Sequence, residues 1–300
     1  MASEATYAQL ASAAYQDNGH PVGWTRLDIP LASDAINSGY YGAAFQDNLT
    51  GEIVIAHRGT EPNKMTDLKA DFQMGVSQLP DQYQFARNFY DQVANANKGA
   101  LISTTGHSLG GSLAQLLAAE KNLNAVTFNP YGTRDLIPAL NNCYPGLNLD
   151  LNATYSNITN HQTALDGVSR LPGSSQLGDM QTHVAPSEGL AGFVTAMTRN
   201  PALAAATAFY WSHSIDRFTN EIYDNSLAGL KRGQIYFPPL PSPDFGSHFR
   251  GLPGPRRSIR RPMICATASA NLTFPVNCPR FTDSPINSHS PDGIASSRKT

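Results

Sequence analysis

Apolar positions in the first 230 residues alternate between helical and extended spacing. Tyr7, Leu10, Ala11 and Ala14 recur at helical intervals and predict a short amphipathic helix at the start. Two extended runs follow, Gly39–Phe45 and Glu52–His57, joined by turn-forming residues 46–51, a pattern that predicts a hairpin. Asp81–Lys98 reads as a helix, with Phe85, Phe89 and Val93 on one face. Leu101–Thr105 is a short β-prone run that enters a glycine-rich turn, and Leu113–Ala119 beyond it consists of strong helix formers. Ala125–Phe128 and Thr154–Ile158 are further strand candidates, and residues 189–222 are helical by composition, interrupted at Pro201. Strands alternating with helices predict an α/β architecture, with a central sheet flanked by helices. No internal repeat is visible. No apolar run approaches the roughly 18 residues a membrane-spanning helix needs.

The turn between the Leu101–Thr105 strand and the following helix reads Gly106-His107-Ser108-Leu109-Gly110, which fits G-x-S-x-G. The pattern alone is weak; its place between a strand and a helix gives it meaning. A nucleophile elbow holds a serine on a sharp strand-to-helix turn, so that its hydroxyl projects above the sheet. Glycines suit the flanking positions because a Cβ there would collide as strand and helix close together. The helix that follows aims its N-terminal N–H groups at charge developing on a substrate carbonyl. Ser108 is therefore the candidate nucleophile, within an α/β-hydrolase-like sheet.

A serine hydroxyl needs a base, and the base needs an orienting carboxylate; in this architecture acid and then histidine follow the serine. The downstream histidines before the tail are His161, His183 and His213. His213 sits close behind an apolar helical stretch, where a loop could return it to the elbow, and it is preferred. His183 is surrounded by residues typical of an exposed loop. Asp166 is the preferred acid because it lies beyond the β-prone 154–158 run, with Asp135 and Asp179 as rivals. An oxyanion hole requires two N–H donors. One is expected from Leu109, the residue after the nucleophile. The second is expected from Thr60, which follows the Ile53–His57 run and the Arg58-Gly59 turn.

Taken together, His57-Arg58-Gly59-Thr60, Thr105-Gly106-His107-Ser108-Leu109-Gly110-Gly111 and Asp166-Gly167-Val168-Ser169-Arg170-Leu171-Pro172 resemble segments of the class 3 lipases, the fungal-type triacylglycerol lipases and bacterial phospholipase A1-like enzymes. The resemblance covers about residues 40–225. It implies Ser108 as nucleophile, Asp166 as acid, His213 as base, and Thr60 and Leu109 as oxyanion donors. It also implies a helical lid at Glu61–Gly75, where Met65, Leu68 and Phe72 share one helical face. Arg58 is expected to pair with Asp71 and so brace the oxyanion loop.

Composition divides the chain. Of its 21 Lys and Arg residues, 10 lie after residue 230, against 3 of its 23 Asp and Glu; proline is concentrated there as well. The organisation expected is a lipase-like domain over residues 1–237 and a Pro/Arg-rich, disordered tail over 238–300. The tail's arginines lack interleaved aromatics, so no nucleic-acid partner is expected. The N-terminus lacks the pattern of a secretory signal, which points to the cytoplasm or to export without a cleaved signal peptide. Three cysteines suggest a reduced setting. No metal or organic cofactor is called for by ligand spacing or by a phosphate-cradling loop. The expected activity is hydrolysis of lipid carboxylic esters, triacylglycerol or A1-type phospholipid, through an acyl-serine, at a membrane or lipid interface. The alternatives are a thioesterase or acyltransferase with the same triad, and a non-catalytic lipid-binding hydrolase fold.

Overall fold

The computed structural model describes residues 1–16, 19–60, 78–170, 174–185, 188 and 211–223. The expected lid at 61–75, the Arg58–Asp71 brace, most of the 189–222 stretch, the boundary at 237 and the tail lie outside the described residues, as do Leu171 and Pro172.

Seven strands form one sheet in the order of the chain: β1 (Trp24–Arg26), β2 (Gly42–Asp47), β3 (Ile53–His57), β4 (Ile102–His107), β5 (Asn124–Phe128), β6 (Ile158–Thr163) and β7 (Asp179–His183). The β1–β2 and β2–β3 pairs are antiparallel; β3 to β7 are parallel. The helices are α1 (Glu4–Ala13), α2 (Ser33–Asn37), α3 (Gln82–Ala96), α4 (Leu109–Lys121) and α5 (Ile137–Cys143). Ser3 caps α1, its hydroxyl accepting the Thr6 amide at 3.2 Å.

Sequential parallel strands joined by crossovers of one hand place the connecting helices on one face of the sheet. That face is covered by α3, α4 and α5, with Phe89, Val93, Leu113, Leu116, Leu117, Ile137 and Leu140 packed on Ile53, Ile55, Ala125 and Ile158. The opposite face is left to the two ends of the described chain. There Tyr7, Leu10 and Ala11 of α1 and Ile215 and Phe218 of the 211–223 segment cover Val54, Ala56 and Phe128. β3 is thus buried on both faces, which accounts for its unbroken apolar run.

The α/β architecture follows the sequence expectation, with two local corrections. The strand expected at Thr154–Ile158 begins at Ile158, because Tyr155 takes a left-handed φ of 50° and turns the chain just before it. The residues around His183 form edge strand β7 rather than a loop; its polar composition conceals a strand with little buried side-chain area. Cys143 is disulfide-bonded. Among the described residues no helix is long and apolar enough to cross a membrane.

Candidate active site

The functional candidates gather at the carboxyl ends of β3 to β6, where parallel α/β sheets place their ligand crevice. β4 ends at His107, and Ser108 turns the chain directly into α4 with φ 58° and ψ −128°. A non-glycine residue holds such a conformation only where its surroundings enforce it. Here the Ser108 amide donates to the Phe128 carbonyl at 3.0 Å, and the Ser108 carbonyl accepts the Ser112 amide at 3.1 Å. The flanking glycines allow the tight approach. A Cβ on Gly106 would run into the Gly110 backbone, and one on Gly110 into the His57 carbonyl. Ser108 is fully buried, and among the described residues its Oγ has no hydrogen-bond partner.

The loop after β3 lies against this turn. A Cβ built on Gly59 would stand 3.0 Å from Ser108 Cβ, so the Arg58–Thr60 segment is brought to the elbow. Thr60 is half-buried directly beyond it. Leu109 is the first residue of α4, so its amide is one of those that helix geometry leaves without an intrahelical acceptor.

His213 Nδ1 lies 2.7 Å from Asp166 Oδ1, and both residues are buried. Asp166 also accepts the amides of Val168 and Ser169, at 3.2 and 2.9 Å, and the Ser169 hydroxyl. Burial works to raise the Asp166 pKa, but the neighbouring imidazole and these donors outweigh it and hold the carboxyl below its ordinary value. The competing candidates are placed elsewhere. Asp135 and Asp179 are exposed. His161 and His183 bond to each other, Nδ1 to Nε2, at 2.9 Å, and His161 stacks on Phe128.

Several residues that hold the site carry no local sequence signal. Asn129, just past β5 with φ 45°, donates to the carbonyls of Ser212 and His213 at 2.9 and 3.1 Å and accepts the Thr163 amide at 2.8 Å. Thr163, at the end of β6, donates to the Ser212 carbonyl at 2.6 Å. Two strand ends thereby grip the backbone that carries His213. His107 also bonds to the His213 carbonyl, and the Tyr15 hydroxyl bonds to His107 and accepts the Gly59 amide. The only cue to Asn129 is a polar residue before Pro130 at the end of an apolar strand, which reads as a turn and not as a clamp.

A buried serine on a strained strand-to-helix turn and a buried aspartate–histidine pair, on a mostly parallel sheet flanked by helices, define an α/β-hydrolase-type protein. The chain belongs to the Tle-like phospholipase domain family, whose model matches residues 6–169. That range holds Thr60, Ser108, Leu109 and Asp166 and stops short of His213. The chain is also 30% identical over 147 residues to an uncharacterized protein of Rickettsia prowazekii (strain Madrid E), a stretch that is 44% of this chain and 40% of that one. Among solved structures it is similar to the Lip2 lipase of Yarrowia lipolytica, at 17% identity over 61% of this chain and 78% of that one, with a TM-score of 0.39. A triacylglycerol lipase of Penicillium expansum is similar at 15% identity over 60% and 78% of the two chains, with a TM-score of 0.40.

Proposed function

We propose that this protein is a serine hydrolase that cleaves carboxylic ester bonds of phospholipids, with Ser108 as nucleophile, His213 as base and Asp166 as orienting acid. The observation that carries the reading is the buried His213–Asp166 pair, with the His213 carbonyl bonded by His107, the residue that enters the strained Ser108 turn. Membership of a phospholipase domain family supports lipid esters as the substrate class. A lipid or membrane interface fits as the place of encounter.

In this reading Ser108 Oγ attacks the ester carbonyl while His213 takes its proton, and the C–Oγ bond forms as the carbonyl oxygen becomes an oxyanion. The amides of Thr60 and Leu109 receive that charge. The intermediate then collapses, the bond to the alcohol breaks, and His213 returns the proton to the leaving oxygen. Water, deprotonated by the same imidazole, releases the fatty acid from the acyl-serine. Asp166 holds the Nδ1–H tautomer of His213 and stabilises the imidazolium that forms in each half-reaction. Bonding of Ser108 Oγ to the imidazole belongs to the substrate complex, since catalytic hydrogen bonds commonly tighten only there.

A fluorophosphonate probe tests this directly. The wild-type protein should label at Ser108, and Ser108→Ala should not. A panel of phosphatidylcholines, triacylglycerols and acyl thioesters with unlabelled wild-type protein then assigns the bond. Absence of labelling in folded wild-type protein would remove the hydrolase reading, and exclusive thioester turnover would move the activity to the alternative acyl carrier.

A further inference from the structure

A chain of three hydrogen bonds links the parts of the site that come from distant segments. The Gly59 amide donates to Tyr15 Oη at 3.0 Å, Tyr15 Oη lies 3.0 Å from His107 Nδ1, and His107 Nε2 bonds to the carbonyl oxygen of His213. The His107 and His213 rings are 4.7 Å apart, centre to centre. Tyr15 stands just beyond α1, at the other end of the sequence from His213.

The proton order in this chain is determined by what each end can do. A carbonyl oxygen only accepts, so His107 Nε2 must carry a hydrogen. Burial keeps His107 from protonating, with its pKa pushed down to about 3, and the ring is therefore neutral with a bare lone pair on Nδ1. The Tyr15 hydroxyl must then donate to Nδ1, which leaves its oxygen to accept the Gly59 amide. Each group has one role, and each role is filled. Gly59 precedes Thr60, and its packing against Ser108 Cβ ties the loop to the elbow.

We propose that Tyr15 and His107 are positioning residues that set the oxyanion loop and the His213 backbone at a fixed distance from Ser108. Neither touches the reacting atoms. They act through Gly59 at one end and through the His213 carbonyl at the other, with His107 held rigidly by its place next to the nucleophile. The N-terminal helix α1 is thereby part of the catalytic frame as well as a cover for the sheet. The proposal rests on the hydrolase reading for its kinetic consequence but not for its proton order.

Two measurements test it. The first is ¹⁵N NMR of His107 in Ser108→Ala protein, which requires no turnover. The expected spectrum is that of a neutral ring with the proton on Nε2, and Tyr15→Phe should shift the Nδ1 resonance towards that of an unbonded lone pair. The second is kinetics of Tyr15→Phe on a soluble ester, where kcat should fall on the order of 10- to 100-fold with KM within about twofold, as expected for groups displaced by a fraction of an ångström. His107→Gln, whose amide can still reach the His213 carbonyl, should retain more activity than His107→Phe. A His107 proton on Nδ1, or full kcat in Tyr15→Phe, would overturn the proposal. Failure of the hydrolase reading would be seen separately, as a wild-type protein that fluorophosphonate does not label.

Discussion

The imidazole of His213 and the carboxylate of Asp166 meet at 2.7 Å from positions 47 residues apart, in a place from which solvent is excluded. The two arrive by different routes. Asp166 stands on the loop after β6, whereas His213 belongs to the segment that returns across the face left open by the connecting helices. The pair is therefore a consequence of strand order: helices on one face oblige a later part of the chain to cover the other.

Asp166→Asn should leave the fold in place and lower kcat by about 10³- to 10⁴-fold, because the amide no longer enforces the required tautomer or stabilises the imidazolium. Steady-state rates on a soluble ester, with circular dichroism as a control for folding, provide the check. A loss below tenfold would detach Asp166 from the chemistry.

Asn129→Ala should cost both stability and rate. The buried Thr163 amide loses its acceptor, which costs about 1–3 kcal/mol, and the left-handed backbone at position 129 adds on the order of 1 kcal/mol for alanine. The backbone of Ser212 and His213 also loses one of its restraints, so kcat should fall further than the residual folded fraction explains. Urea denaturation combined with kinetics on the folded fraction would separate the two effects.

Gly110→Ala should destabilise the protein by about 1–3 kcal/mol or more, because the added Cβ meets the His57 backbone instead of a side chain that could move aside. The distortion falls between the His57–Arg58 backbone and the Ser108 turn. Labelling by fluorophosphonate should therefore slow even at temperatures where the variant remains folded. Wild-type melting and labelling would contradict the close approach.

Acid should weaken the fold well before carboxylates protonate. Burial pushes His57 and His107 down to about 3, and His161 to about 4, whereas an unfolded chain protonates its histidines near pH 6.5. The folded state thus binds fewer protons, so the stability these groups confer is complete above about pH 6.5 and declines as pH falls towards 4 and then 3. Each histidine contributes up to about 1.4 kcal/mol per pH unit in that window. Asp166 has the same sign at a lower pH, since its depressed folded pKa is felt only below about 3.9. Unfolding free energies at pH 7, 6 and 5 should fall progressively, and His161→Phe, which keeps an aromatic ring against Phe128, should reduce the slope. A flat profile would show that these rings are protonated in the native state.

Much of this protein is legible in local residue pattern. The β2–β3 hairpin, β3, α3 and the β4–Ser108–α4 turn all follow from hydrophobic spacing and turn chemistry, because each is stabilised within a short window of sequence. Gly106 and Gly110 are intelligible for the same reason: strand, serine and helix are adjacent along the chain, so their crowding is a local matter. β7 and the true start of β6 are not legible, since an edge strand needs few apolar residues and the Tyr155 turn depends on a backbone angle that the residue type does not advertise.

The amino-acid sequence by itself determined the strand–Ser108–helix turn and the alternation of strands and helices, because both depend on contacts between near neighbours. Only the tertiary structure brought His213 to Asp166, while His161 and His183 bond to each other and Asp135 and Asp179 are exposed. It likewise revealed Asn129, Thr163, Tyr15 and His107 as supports of the site. Those choices rest on which strand ends and chain ends come to share one edge of the sheet, and that proximity is created by packing two faces of a sheet, not by any property of the residues taken in order.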